Sequence, residues 1–419
     1  MSTRTYLPRV VDRELENRLA RIGAVLIEGA KGCGKTETGM RHCASSVCLD
    51  IDQTARSTAE TAPAFVLEGA APRLIDEWQL VPPIFNAIRR AVDTRQAVGQ
   101  FILTGSATPS DDATRHTGAG RISRLRMRTL SLHESGLSTG QVSLSELLAG
   151  NLDLNGTSNL DLSDLIEETC HGGWPADRTK PWQQAQANLA DYCHEIAAAE
   201  MRQIDGVRRD AVRVRALMQS LARHTSTQAP LVTLARDASS RPLSIDTVTA
   251  YIEALERLMV LEPLPSWSPV LRSRARVRLA AKHHFVDPAM SASLLGAGPS
   301  ELRRDLKTFG LLFESLAMRD LRVYAQFNNA SLHHYLDSTG LEVDAVVDGG
   351  FGRWGAIAIK LGGAQSVLDQ AAKNLMAFAN KVDTQSSGEP NFLAVITAEG
   401  YAYTRPDGVA IVPLGTLAP

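Results

Sequence analysis

Apolar residues recur at helical spacing over residues 10–22 (VVDRELENRLARI), and a short unbroken run, Ala24-Val25-Leu26-Ile27, then stops at a glycine-rich stretch. That succession predicts a helix, a buried strand and a loop. A second helix is expected from Thr36 onward (TETGMRHCASS). Further apolar runs at Val47-Cys48-Leu49-Asp50-Ile51, Pro72-Arg73-Leu74-Ile75-Asp76-Glu77 and Gln100-Phe101-Ile102-Leu103-Thr104 read as strands. Strands separated by helical patterns predict a parallel sheet covered by helices, an architecture that takes ligands at the carboxyl ends of its strands. Residues 106–120 are small and polar and read as a loop within this domain, and residues 121–130 alternate basic and apolar positions as another strand.

Between residues 140 and 165, Ser, Asn, Asp and Gly are set among leucines, which reads as a linker and puts a boundary near residue 150. Residues 184–224 are patterned as helix. Residues 231–261 read as helix, turn and longer helix, with Ser244-Ile245-Asp246-Thr247-Val248 as a capped start, the order of a winged helix-turn-helix. Beyond residue 280 a helix over 309–324 precedes strands at 333–336, 342–347 and 356–360, an α/β pattern. Three domains are expected, over residues 1–150, 151–280 and 281–419.

Composition narrows this little. A length of 419 residues suits two to four domains. The 44% apolar and 21% charged content is that of globular protein rather than of disordered chain. A formal charge of −2 supplies no global attraction for nucleic acid, so a DNA role would rest on local patches. Five cysteines, an odd count without a CxxC pair, argue against a disulfide framework and a zinc ribbon. Charged residues interrupt the N-terminal stretch too often for a signal peptide, and no run reaches the length of a membrane span, so the expected location is cytoplasmic without membrane contact.

The chemistry concentrates in Gly29-Ala30-Lys31-Gly32-Cys33-Gly34-Lys35-Thr36, which satisfies GxxxxGK[ST] after a strand and before a helix. Its glycines let backbone N–H groups turn round an anion, and the helix start adds its positive end. Lys35 is expected on the β- and γ-phosphates and the Thr36 hydroxyl on Mg²⁺. Asp76 and Glu77 end an apolar strand: Asp76 is placed to hold Mg²⁺ through water and Glu77 to polarise the attacking water. Thr104 and Ser106 end the next strand, suited to sensing the γ-phosphate or orienting that water.

These segments resemble the AAA+ ATPases, with a P-loop at 29–36, a Walker B strand at 73–77 and a sensor strand at 101–106. More narrowly, the chain is similar over nearly its whole length to prokaryotic ATPases that pair a short AAA+ core with a C-terminal domain similar to restriction endonucleases. That likeness lies in Arg9 and its following helix, Leu74-Ile75-Asp76-Glu77-Trp78-Gln79, Ile102-Leu103-Thr104-Gly105-Ser106, Gly120-Arg121, Gly172-Gly173-Trp174-Pro175 and Glu342-Val343-Asp344. It implies ATP as substrate, ADP as product, Mg²⁺ as cofactor, and Arg121, with Arg124 and Arg128 behind it, as an arginine finger completing a neighbour's site in a homo-oligomer.

For the C-terminal domain the resemblance implies a PD-(D/E)xK nuclease core, with Asp344, Lys360 and the helical Glu314 on its metal-gathering positions. Ala358 stands where that pattern has its second metal carboxylate, and Glu342, two residues from Asp344, is the one nearby substitute. The expectation is a nuclease-like fold without cleavage. Arg272, Arg274, Arg276 and Arg278 alternate as a wing on phosphate would, and equally as a charged edge strand would. Arg202, Arg208, Arg209, Arg213 and Arg215, interspersed with acids, read as a solvated helix face. The His283-His284 and His333-His334 pairs lack the spacing of a metal site. The reading is an Mg-dependent AAA+ type ATPase coupling nucleotide state to its C-terminal domains. An ATP-gated DNA-binding protein or nuclease and a nucleotide-dependent protein scaffold stand as alternatives.

Overall fold

The computed structural model describes residues 6–105, 118–201, 209–238, 242–268 and 281–419. The N-terminal unit is built on strands β1 (Ala24–Glu28), β2 (Ser45–Cys48), β3 (Arg73–Asp76), β4 (Phe101–Gly105) and β5 (Ile122–Arg126). They form one sheet of order β2-β3-β4-β1-β5, in which every pairing is parallel. Both faces are covered, which is why the strands read as unbroken apolar runs. Val25, Ile27, Leu74, Ile102 and Leu125 bury one face against helix α1 (Val11–Leu19), whose Val11, Leu15 and Leu19 recur every fourth residue. Leu26, Ile75 and Leu103 bury the other face against Ile84, Phe85 and Ile88 of the helix Pro83–Arg95.

Two strands are shorter than the pattern suggested. β2 ends at Cys48 because Asp52 caps the helix Gln53–Thr61, accepting from the Ala55 N–H at 2.9 Å, and the intervening turn leaves Ile51 exposed. β3 ends at Asp76 because Glu77 adopts a left-handed conformation, φ 54°.

Residues 140–165, expected as a linker, are instead fastened to the C-terminal unit. Strand β6 (Val142–Ser143) pairs with Leu417–Ala418, and β7 (Gly156–Thr157) pairs with Tyr401 and Ala402. Leu144, Leu147 and Leu148 lie in one apolar core with Leu312 and Leu316. The polar residues between those leucines are caps and turns: the Ser143 hydroxyl accepts from Ser145 N at 3.1 Å.

The middle of the chain is helical (Leu162–His171, Trp182–Glu195, Ala211–Arg223, Leu231–Asp237 and Ile245–Arg257) and ends in an antiparallel ribbon of β8 (Leu261–Leu264) and β9 (Lys282–Phe285). Arg272, Arg274, Arg276 and Arg278 of the expected wing lie outside the described residues, as do Arg202 and Arg208. The C-terminal unit packs the helix Leu306–Phe327 on a mixed sheet, in which β10 (Ser331–Leu336), β11 (Glu342–Asp348) and β12 (Trp354–Lys360) are antiparallel. β13 (Phe392–Thr397) and the strand Ala410–Pro413 continue it in parallel. No helix among the described residues is long and apolar enough to cross a membrane.

The units meet around a fully buried ion cluster. Arg319 donates from Nη1 to Asp287 at 3.2 Å and from Nε to Asp320 at 2.9 Å. Asp287 also accepts from the Thr129 hydroxyl and from Gly173 N, each at 2.9 Å, and Asp320 accepts from Leu132 N at 3.0 Å. Burial opposes the guanidinium's charge, but Asp320 and Asp287 outweigh it and hold Arg319 above its ordinary pKa. Asp287→Ala leaves that charge half paired in the interior, and urea unfolding is expected to show a loss of about 3–5 kcal/mol; a shift below about 1 kcal/mol would mean that the cluster is not a keystone.

Candidate functional site

The glycine-rich loop leaves β1 at its carboxyl end and opens α2 (Lys35–His42). Gly29 is required by space, since a Cβ there would lie 2.1 Å from the Met127 carbonyl oxygen. Gly32 and Gly34 are required by conformation, with φ of 76° and 106°. Lys35 is buried, and its Nζ donates to the Gly29 and Ala30 carbonyls, each at 2.9 Å. Ala30 and the Cys33 side chain are buried, and Lys31 pairs with Glu200 at 3.0 Å.

The parallel register sets Asp76 beside Thr104. The Thr36 hydroxyl donates to Asp76 Oδ1 at 2.9 Å, and the Thr104 hydroxyl donates to the same oxygen. Two hydroxyls from separate segments of the sequence thus converge on the Asp76 carboxylate beside the loop. Glu77 is half-buried on its left-handed backbone, and its carboxylate accepts from Gln79 Nε2. Burial, and after it the charge of Asp76, raise its pKa against the lowering effect of Gln79 and Lys35. Ser106 lies outside the described residues.

Arg121 stands apart. It precedes β5 at the amino end of the sheet, its carbonyl accepting from Ala24 N at 3.1 Å, and its guanidinium pairs with Asp93 at 2.7 Å. The loop lies at the opposite end of the same strands, so Arg121 faces away from its own chain's P-loop. Arg124 pairs with Glu28, and Arg128 with Glu262.

Sequence reasoning gave no role to the residues that brace the loop. Arg9, itself buried, donates to the Cys33 carbonyl at 2.8 Å, the Arg128 carbonyl at 2.7 Å and Glu134 at 3.0 Å. Trp174 donates from its indole N–H to the Lys31 carbonyl at 3.1 Å. Gly173 admits the close approach this needs, since a Cβ there would lie 2.3 Å from the Leu130 carbonyl oxygen. The signals were Arg9 and Gly172-Gly173-Trp174-Pro175, legible as a pattern without a position. Tyr6, Arg9 and Pro175 form the outer wall of a cleft of about 280 Å³ whose floor is Gly32, Lys35, Thr36 and Glu77.

In the C-terminal unit, Asp344 accepts from Ile359 N at 2.7 Å and from Lys360 Nζ at 3.1 Å. Glu314 and Glu342 are drawn together by Lys282, whose almost fully buried ammonium lies 3.1 Å from the first and 2.7 Å from the second. Burial, and Asp344 after it, raise the Glu314 pKa, while Lys282 lowers it. Ala358 is buried on β12.

A five-stranded parallel sheet of this order, with the loop at the end of its β1 and two hydroxyls meeting the strand-end aspartate, defines an N-terminal P-loop ATPase-like fold. Residues 22–136 match the AAA domain family. Residues 162–301 and 309–417 match two domains of unknown function, DUF8612 and DUF4143. Uncharacterized proteins of Mycobacterium tuberculosis and Mycobacterium bovis are each 24% identical over 344 residues, 80% of this chain and 69% of theirs. Among solved structures, the Walker-type ATPase of Pyrococcus abyssi is 13% identical, with 68% of this chain and 94% of that one covered and a TM-score of 0.41. The AMPPCP-bound DnaA of Aquifex aeolicus is 18% identical, with 59% and 86% covered and a TM-score of 0.24.

Two glycine substitutions test the loop's packing. Gly29→Ala drives a methyl into backbone and is expected to lower stability by about 2–4 kcal/mol. Gly310→Ala, in open space on the helix Leu306–Phe327, is expected to be neutral or to stabilise by up to about 1 kcal/mol. Thermal unfolding of both variants makes the comparison, and equal midpoints would contradict the close contact at Gly29.

Proposed function

We propose that residues 29–36 bind ATP with Mg²⁺, that the chain hydrolyses it, and that nucleotide state is relayed to the central and C-terminal units. The observation that carries this is the convergence of Thr36, Asp76 and Thr104 beside a glycine loop that already holds a lysine. Hydroxyl and carboxylate oxygens are the donors Mg²⁺ prefers, so Thr36 and Asp76 fit it. When bound, Mg²⁺ supplies charge neutralisation at the phosphates.

Lys35 exchanges two carbonyl partners for phosphate oxygens, a neutral interaction for a charged one. The N–H groups of the loop and the start of α2 take the phosphate's remaining charge. Glu77 orients the attacking water and accepts its proton, with Gln79 steadying the carboxylate, while Thr104 fixes Asp76 and Ser106 serves as the sensor. Arg121, facing away from its own P-loop, serves a neighbouring copy as the finger, which makes a homo-oligomer the active form. The relay runs through Arg9 and Trp174, which hold the Cys33 and Lys31 carbonyls of the loop and reach the buried ion cluster through Glu134 and Gly173.

Glu77→Gln is expected to cut steady-state hydrolysis at least about a hundredfold while ATP affinity stays within a few-fold. The water-activating form is the carboxylate and its pKa is raised. The wild-type rate should therefore climb with pH along a limb above the ordinary glutamate range and then level off, and Glu77→Gln should lack that limb. Undiminished turnover by the variant would remove Glu77 from the reaction.

We also propose that the C-terminal unit, if nuclease-like in descent, does not cleave. Its residues do not fit a divalent cation: Lys282 occupies the space between Glu314 and Glu342, Asp344 is held by Lys360 and Ile359 N, and Ala358 contributes no oxygen. Supercoiled plasmid incubated with the protein and Mg²⁺ or Mn²⁺ should stay intact, and nicking that Asp344→Ala abolishes would sink this reading.

A further inference from the structure

A cavity of about 610 Å³ lies away from the P-loop between α1, β8 and the helix Leu306–Phe327. Arg126, Arg128 and Arg322 crowd its wall around one carboxylate, Glu262. Arg126 and Arg128 lie 3.0 Å from it and Arg322 lies 3.5 Å away. Glu256 also lines the cavity, but two carboxylates cannot neutralise three guanidinium groups, and the excess positive charge is held in a half-enclosed cleft where water screens it poorly. Glu14, the third carboxylate of the lining, is taken by Arg18.

Two further cavities, of about 430 and 490 Å³, extend this one into a groove, the first sharing Arg18 and the second sharing Arg126 with it. The first adds the exposed Arg13 and Arg21, and Arg13 stacks its guanidinium 5.4 Å from the ring centre of Phe327. A series of arginine forks matches phosphate oxygens, and an aromatic face beside them suits a base.

We propose that this groove binds a single strand of nucleic acid by its phosphates. It is also wired to the P-loop. Successive residues at the end of β5 point to opposite faces: Arg126 and Arg128 enter the groove, while the backbone of Met127 abuts Gly29. The Arg128 carbonyl is held by Arg9, the same side chain that holds the Cys33 carbonyl of the loop. Strand binding and nucleotide binding therefore act on one short segment of backbone; that link rests on the proposed ATP site, whereas strand binding itself does not.

The test is fluorescence anisotropy of a labelled oligothymidine of about twenty nucleotides with the full chain, without nucleotide, so a failure of the P-loop reading leaves its outcome untouched. The wild type should bind it in preference to duplex, with log affinity falling linearly as log salt rises. Arg126→Gln should weaken binding roughly tenfold and flatten that slope by about 0.7. The double variant Arg13→Gln, Arg21→Gln, altered only at exposed positions and so not in its folding, should flatten it by about twice that. Absence of binding at low salt, or both variants binding as the wild type does, would overturn the proposal. So would a preference for duplex, or saturation by inorganic tripolyphosphate that the oligonucleotide does not displace, which would mark a site for small anions.

Discussion

The structure turns on Arg319, a guanidinium with no exposure to water, set between Asp287 and Asp320. Transferring such groups from water is costly, and their mutual attraction offsets that cost only when the remaining hydrogen-bonding capacity is used. On the carboxylates it is used by groups from elsewhere in the chain, Gly173 N and the Thr129 hydroxyl on Asp287 and Leu132 N on Asp320, while Arg319 Nη2 is left without a partner among the described residues. The cluster therefore holds residues 129–132, 172–174 and the helix Leu306–Phe327 in one mutual arrangement, because moving any of them strips a buried carboxylate of a donor.

The phosphate loop hangs from that arrangement. Glu134 accepts from Ser131 N and from Arg9, and Arg9 grips the Cys33 carbonyl. On the other side Trp174 grips the Lys31 carbonyl. Hydrogen bonds at both ends of the loop's tip lead back to the same buried ions within a few residues. This continuous packing is the route along which the proposed relay from loop to C-terminal helix would run, since packed interiors transmit strain rather than absorb it.

What could be read beforehand followed from locality. The loop, the strands around it and the carboxylates at 76 and 77 occupy short segments whose residue types and periodicity carry their own reason. The convergence of Thr36 and Thr104 on Asp76 required only the parallel order of neighbouring strands. Arg9, Trp174 and the Asp287–Arg319–Asp320 cluster were not legible as a device because their partners lie more than 100 residues apart in several cases, and a lone arginine carries no periodic signal. Residues 140–165 failed for another reason. Caps and turns use the same Ser, Asn, Asp and Gly that linkers do, and only the far partner strands, near residues 401 and 417, distinguish the two.

Two buried lysines show why similar composition leads to different chemistry. Lys35 rests on the Gly29 and Ala30 carbonyls, neutral dipoles that lose little when the ammonium turns to a phosphate. Lys282 rests on Glu314 and the exposed Glu342, and its removal would leave the largely buried Glu314 unpaired beside Asp344. Breaking a buried ion pair on one side costs about 3–5 kcal/mol, more than a weak metal site returns. On the proposed reading the first lysine exchanges its two carbonyl partners for a ligand's phosphate. The second, on the same reading, is itself the cation of its site, holding Glu314 and Glu342 where the nuclease pattern would place a metal.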